Sequence, residues 1–406
     1  MGRLANVLMI ASMANVAAAP SFAQVVADGR TETSVVTSGL ITDVTTETIR
    51  AGNAFNSFSQ LSVRQLETVN LHQPTNSNAL INVVIGSQTN IEGTLNTLKN
   101  GAVGGNVFIV NPDGMMVSSG GVINAGALTV STATSSFANL LLDAASGADQ
   151  SAVSTLFAGL EPLSATGSID IYGEINARRL ELRSGARMII EGRLSVVDAQ
   201  GNATGEAAVN TDGVAEASGV SVQGGVIRLF GGGDVEVSGK VEATRGDDGG
   251  DISVRSDGDI TVTGEISADG AGDGDGGSVV VFADGAGTLV EAATLSASAM
   301  QGDGGFVELS GKSSVTWSGT IDVSSQGGAQ GAILIDPATI NVTSDIYTNG
   351  ADLTLLADDA ITVAAGVIIS TRKTAADEAA EAGNNHATAD SIDASGDLVV
   401  FAPEIT

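Results

Sequence analysis

The chain contains no cysteine, which excludes disulfide bracing and thiolate metal centres. Its two histidines, His72 and His386, stand apart from any recognisable nucleophile arrangement. Aromatic residues are few, with ten Phe, two Tyr and one Trp among 406 residues, thin equipment for an enzyme that grips sugar rings. Cations are also scarce. Seventeen Lys and Arg face 47 Asp and Glu, a net charge of -30. A surface of that sign repels phosphate backbones and anionic lipid, so nucleic acid is not an expected partner. The same charge keeps a long surface soluble and discourages sheet edges from joining. Beyond the N-terminal stretch no run is long and apolar enough to cross a bilayer as a helix.

What is present is glycine, 53 residues of it, set among Val, Ile, Ala, Thr and Ser, a composition for many short strands joined by tight turns and hence an all-β chain. From Gly224 the sequence falls into register, with Gly-Gly pairs starting at 224, 249, 276 and 304. Each unit holds about three alternating runs of four to six residues, too little to enclose a core alone. Stacking solves this. If each unit is one coil of a right-handed parallel β-helix, residues such as Val235, Val237, Ile252, Val254, Ile260 and Val262 form one continuous interior. A propeller blade needs a longer repeat, and a sandwich needs no fixed period. At one coil per ~23 residues the expectation is on the order of 15 coils and a monomeric rod of roughly 75 Å.

Four zones differ in texture. Residues 1–23 carry Arg3, an apolar stretch, Pro20 and small residues before Gln24, the pattern of a secretory signal peptide. Residues 24–134 are rich in asparagine. Residues 135–165 are rich in Leu and Ala with helix-like spacing at Phe137, Leu140 and Leu141, which predicts a short helical excursion. Residues 166–406 hold the solenoid register, interrupted by a polar insertion at 371–391 and resumed in the strand "GDLVVFA". The last coil is expected to continue beyond Thr406.

The most apolar run, "NVFIVNPDGMMVSSGGVINAGALTVSTA" at 106–133, places hydrophobic residues on both faces of its extended segments. Asn111-Pro112-Asp113-Gly114 suits a type I turn. Alone it means only a turn. Upstream stand "GNAFNSFSQLSV" at 52–63 and "VNLHQPTNSNALINVVIGSQTNIEGTL" at 69–95. In this order the three blocks resemble the N-terminal secretion domain of the filamentous haemagglutinin family, the large exoproteins of bacterial two-partner secretion. The downstream units, including "GGFVELSGKSSVTWSGTIDVSS" and "GAILIDPATINVT", resemble the β-helical repeats of the same exoproteins.

The resemblance implies export through the periplasm to the bacterial surface by a partner outer-membrane β-barrel transporter, with residues 24–134 as the first coils. It implies a secretion signal and folding nucleus at Asn53, Phe55, Asn56, Phe58, Gln60, Asn90, Gly93, Asn111, Pro112, Asp113 and Gly114. It implies a surface adhesin or filament that meets a host-cell glycan or protein receptor. The alternative is the delivery stalk of a contact-dependent growth inhibition toxin. A rival of another class, a β-helical polysaccharide-degrading enzyme, lacks converging carboxylates and aromatic platforms, so no catalysis and no cofactor are expected. Two departures stand out: the family usually has Asn-Pro-Asn-Gly where Asp113 stands here, and Asn-Arg-Val where Asn82-Val83-Val84 stands. Replacing Pro112 or Gly114 is expected to cost ~1 kcal/mol locally, with export, tested by Asn111→Ala or Gly114→Val, more sensitive than the finished rod.

Two further features invite sites. Asp247, Asp248, Asp273, Asp275 and Asp303 crowd the turns, but lack the nine-residue spacing of calcium-binding repeats and read better as solvated turns. Arg178, Arg179, Arg183, Arg187 and Arg193 form a cationic cluster in an acidic chain. Arg178, Arg179, Arg183 and Arg187 could dock an acidic or sulfated glycan through bidentate contacts; the plainer reading is a strand face laced with ion pairs.

Overall fold

The structure is a computed structural model that describes residues 24–196, 225–285, 287–372 and 396–406. The predicted signal peptide, most of the polar insertion and His386 lie outside these residues.

Alternation builds the body of the molecule. In Asp251–Ser256, Ile252 and Val254 are buried while Asp251 and Arg255 stand in solvent, the period-two pattern of a strand with one dry face. Ile252 pairs in parallel with Val279, Val279 with Val307, and Val307 with Ile333, so each coil lays its apolar residues on those of the coil before. Two long sheets result, of 23 and 13 strands, and their inward faces share one core running from Val25 to Ile361. The fold is the expected parallel β-helix.

Glycine fixes where the coils turn. A Cβ on Gly249, Gly276 or Gly304 would collide with the carbonyl of Ala268, Ala297 or Val323 in turn, so the Gly-Gly register marks places where two stretches of backbone pass too closely for a side chain. The acidic turns are stitched upward: the Asp248 carboxylate accepts from the Asp275 amide at 3.0 Å, Asp275 from Asp303 at 2.7 Å, and Asp303 from Ala329 at 2.8 Å. These carboxylates satisfy amides of the next coil. Among the described residues no three acidic or His side chains are grouped to hold a metal ion.

The start of the rod differs. Val25–Ala27 runs antiparallel along Asn53–Val63, and Thr33–Ser38 forms an antiparallel hairpin with Ile41–Thr46. These strands cover the first edge of each sheet, which would otherwise offer unpaired amides to another chain.

The inward column beginning Ala54, Leu80, Val107, Leu128 and Leu180 ends at Leu398 after twelve levels. That is fewer than the fifteen or so expected. The step from Leu128 to Leu180 takes far more chain than one coil needs, because the two helices between them add length to the sequence and none to the rod.

Candidate functional site

The run at 106–133 is apolar on both faces because both faces are covered. Val107 and Ile109 point into the solenoid core, while Phe108 and Val110 belong to a second, separate cluster on the outside of the same sheet, with Phe55, Ile81 and Val83. Two helices lie over them, α1 (Ser135–Ala145) and α2 (Ser151–Ala158). The Thr134 hydroxyl accepts from the Phe137 amide at 3.3 Å and starts α1; Gly159, at φ +70°, ends α2. Phe137, Leu141, Leu142, Val153 and Leu156 pack onto the outer face, and Phe157 stacks on Phe108 with ring centroids 4.9 Å apart. Leu140, expected on the buried stripe, points to solvent, because a helix cannot turn Leu140 and both Leu141 and Leu142 toward one sheet.

The far end of the cover is held by a buried ion pair. Arg183 donates to both oxygens of Glu161 at 2.8 and 2.9 Å and to the Leu156 carbonyl at 3.0 Å. Glu161 also accepts from the Ser131 hydroxyl at 2.6 Å, and Glu181 lies 3.0 Å from the guanidinium. Every partner is satisfied, which is the condition for a buried charge to persist.

The turn residues are tied into the same region. The Asn111 side-chain amide donates to the Ser87 carbonyl at 2.9 Å and to Thr89 Oγ1 at 3.0 Å, and its oxygen accepts from the Asp113 amide at 2.9 Å. The Gly114 amide closes the turn onto the Asn111 carbonyl at 3.0 Å. Gly114 has φ +90°, and a Cβ there would strike the Ser168 carbonyl of the next coil. Only Asp113 is exposed, so the charge that replaces the family's second asparagine sits in water. Val83, where the family usually has arginine, is fully buried beneath the helices.

Asparagine amides stack from coil to coil. Asn56 donates to Asn82 at 2.9 Å within the core, accepts from Thr33 at 2.9 Å, and Asn82 donates to the Phe108 carbonyl at 3.1 Å. On the other sheet Asn176, Asn124, Asn96, Asn70 and Asp43 form a chain of side-chain hydrogen bonds. Burial pushes the Asp43 carboxyl up, but bonds from His72, at 2.7 Å, and from Asn70 outweigh it and hold the group below the usual carboxylate range. Of the remaining residues singled out from sequence, Asn53 and Phe58 are buried, Gly93 has no room for a side chain beside the Arg64 and Glu67 carbonyls, Gln60 bonds Gln24, and Asn90 bonds Glu92 and Ser118. Most of this set is therefore interior.

The arginine cluster disperses. Arg183 is committed to the clamp, Arg179 pairs with Glu181 at 3.3 Å, Arg187 lies 3.7 Å from Asp170, and Arg193 pairs with Glu242 at 3.1 Å. Arg178 lies half-buried at the corner where its carbonyl accepts from the Gly225 amide. Arg183, one of four candidate glycan contacts, is buried and engaged by two carboxylates. The helical excursion expected at 135–165 is present as α1 and α2; what sequence reasoning missed is that it covers the outer face of the first coils. The signal was present, since Phe55, Ile81 and Phe108 occupy one outward column that turns polar at Thr129 and Glu181.

A family model described as the TPS secretion domain matches residues 23–276, more than half of the chain. The secretion domain of HMW1 from Haemophilus influenzae is similar in structure at 15% identity and a TM-score of 0.49, covering 94% of this chain and 98% of that one. No curated protein matches in sequence. The chain belongs to the TPS secretion domain family, the domain by which an exoprotein of a two-partner system reaches its outer-membrane transporter.

Proposed function

We propose that the first coils and their helical cover form one unit that nucleates the rod at the transporter exit, and that the finished rod serves on the cell surface as an adhesin or filament without catalytic activity. The observation that carries the nucleus is the burial of the signal residues. Phe55, Asn56, Phe58 and Asn111 are closed to any partner once folded, so a transporter that depends on them reads them before the coils close, or depends on how fast they close. The unit includes residues 135–158, since the outer apolar face of 79–110 stays wet until α1 and α2 settle on it. Parallel pairs between adjacent coils are local contacts, which favours growth from a nucleus. The adhesin reading rests on the family and on the length of rod that the coils present.

Gly114→Val tests the nucleus. A positive φ disfavours a β-branched residue, and the collision with Ser168 adds to it, so the cost exceeds the ~1 kcal/mol that backbone freedom alone would give. Expressed with the cognate transporter, the variant is expected to remain in the periplasm, while Asp113→Asn, at the exposed tip, is released as the wild type is. Normal release of Gly114→Val would remove this segment from the signal.

A further inference from the structure

Below the end of α2 the outer sheet face opens into a groove of about 1010 Å³. Its upper wall is Phe157 to Leu163 and its floor is formed by outward residues of successive coils. Glu181 pairs in register with Arg228 and then Ser253, and Arg183 with Phe230 and then Arg255. Arg228 and Arg255 therefore sit one coil and two residues apart on the same face, roughly 8 Å by strand geometry.

Both are exposed, and among the described residues neither makes an ion pair; Arg255 rests on the Phe282 ring, 5.5 Å from its centroid. In a chain with 47 acids and 17 bases, Arg179, Arg183, Arg187, Arg193, Lys240, Arg245 and Lys312 lie beside carboxylates, whereas Arg228 and Arg255 share one sheet face without such a contact. Glu161, Glu181 and Asp257 also line the groove, but Glu161 and Glu181 are engaged by Arg183 and Arg179, which leaves the Arg228 and Arg255 guanidinium groups as its free cations among the described residues.

We infer that this groove is a binding site for an anionic oligosaccharide, with Arg228 and Arg255 as the charged contacts. The floor is a sheet face whose amides and carbonyls already pair between coils, so an added strand finds nothing to bond and recognition falls to side chains. Two planar forks suit sulfate or carboxylate groups repeated along a polymer. Phe230 and Phe157 on the groove walls offer apolar surface for the ring carbons. The site replaces the candidate that included Arg183; its use in adhesion rests on the surface role proposed above, but its ligand binding does not.

The test uses the purified chain, at low salt, against size-matched dextran sulfate, polygalacturonate, neutral dextran and polyglutamate. Binding to one or both charged glycans is expected, weakening as salt rises. R228A and R255A should each weaken it about tenfold or more, with R372A, on an exposed residue elsewhere, unchanged and all three variants equally folded by circular dichroism. Sulfate preferred over carboxylate identifies a sulfated glycan, and the reverse a uronate polymer. No binding to either, binding unchanged in R228A/R255A, or tighter binding to polyglutamate would overturn the inference. Because purified protein is used, these outcomes do not depend on the secretion reading.

Discussion

The same column of the same sheet meets opposite fates along the rod. At its start Phe55, Ile81 and Phe108 are sealed beneath two helices; farther on, in identical register, come Arg228, Ser253 and Val280, with Arg228 in solvent. Burial follows: every residue of Ala79–Val84 is buried, whereas Ser278–Ala283 alternates between buried and half-exposed. The early coils are dry on both sides and pinned by asparagine stacks. The later coils are dry on one side and pinned by glycine and Asp turns. Repetition thus sets the backbone of both, and what lies over the outer face sets how much each coil contributes to stability.

Truncating one outward residue in each half should expose that difference most strongly. Phe108→Ala is expected to destabilise by about 3–5 kcal/mol, since it leaves a cavity beneath the cover, and Val280→Ala by less than about 1 kcal/mol. Equal losses in chemical denaturation would mean that the cover is only loosely seated. The clamp offers a second comparison. Arg183→Ala leaves Glu161 buried and unpaired and should cost about 3–5 kcal/mol, while Arg183→Met with Glu161→Leu removes both charges and should recover most of it. Hydrogen exchange across 135–158 would show whether the loss is confined to the cover.

The smallest effect is that of acid, and the two halves should respond with opposite sign. Asp43 at the start has a depressed carboxyl, so its contribution is present above the unfolded value of 3.8 and is lost as pH falls through the lower folded value. Asp28 behaves alike: burial raises it, but its bonds with Arg30 and Ser57 prevail. Asp336, raised by burial and then by Asp358 and Glu308, takes up its proton more readily when folded. Its local strain is relieved as pH falls toward 3.8. Exchange rates followed by mass spectrometry between pH 6 and pH 3 should rise first around 28–72 and later, or not at all, around 308–358. Uniform loosening would remove these carboxyls as the cause.

Much of this architecture could be read from residues alone, and for a physical reason. Val235, Val237, Ile252 and Val254 alternate because one face is wet, and Gly249, Gly276 and Gly304 recur because the backbones nearly touch; both causes act at short range and leave a period. The double-faced run at 106–133 was visible as an anomaly, but not its cover, because helix spacing at 137–142 fits two faces and the cover lies on sheet residues such as Phe55, 80 residues upstream of its start. The Arg228 and Arg255 groove left no local trace either. Its members belong to different coils, and their neighbourhood depends on how many residues each excursion consumes.

The antiparallel strands at the beginning give the rod a mechanical sense. Steps of 27 and 28 residues separate Ile252, Val279 and Val307, so a coil takes up roughly 90 Å of extended chain and lengthens the rod by about 4.8 Å. With the first edge occupied by Val25–Ala27, that shortening can proceed in one direction only. On the nucleation proposed above, each coil that closes at the transporter exit draws in nearly all of its slack, and slipping back requires peeling a whole coil from the growing end. The closed edge makes the rod a ratchet whose pawl is its own first strand.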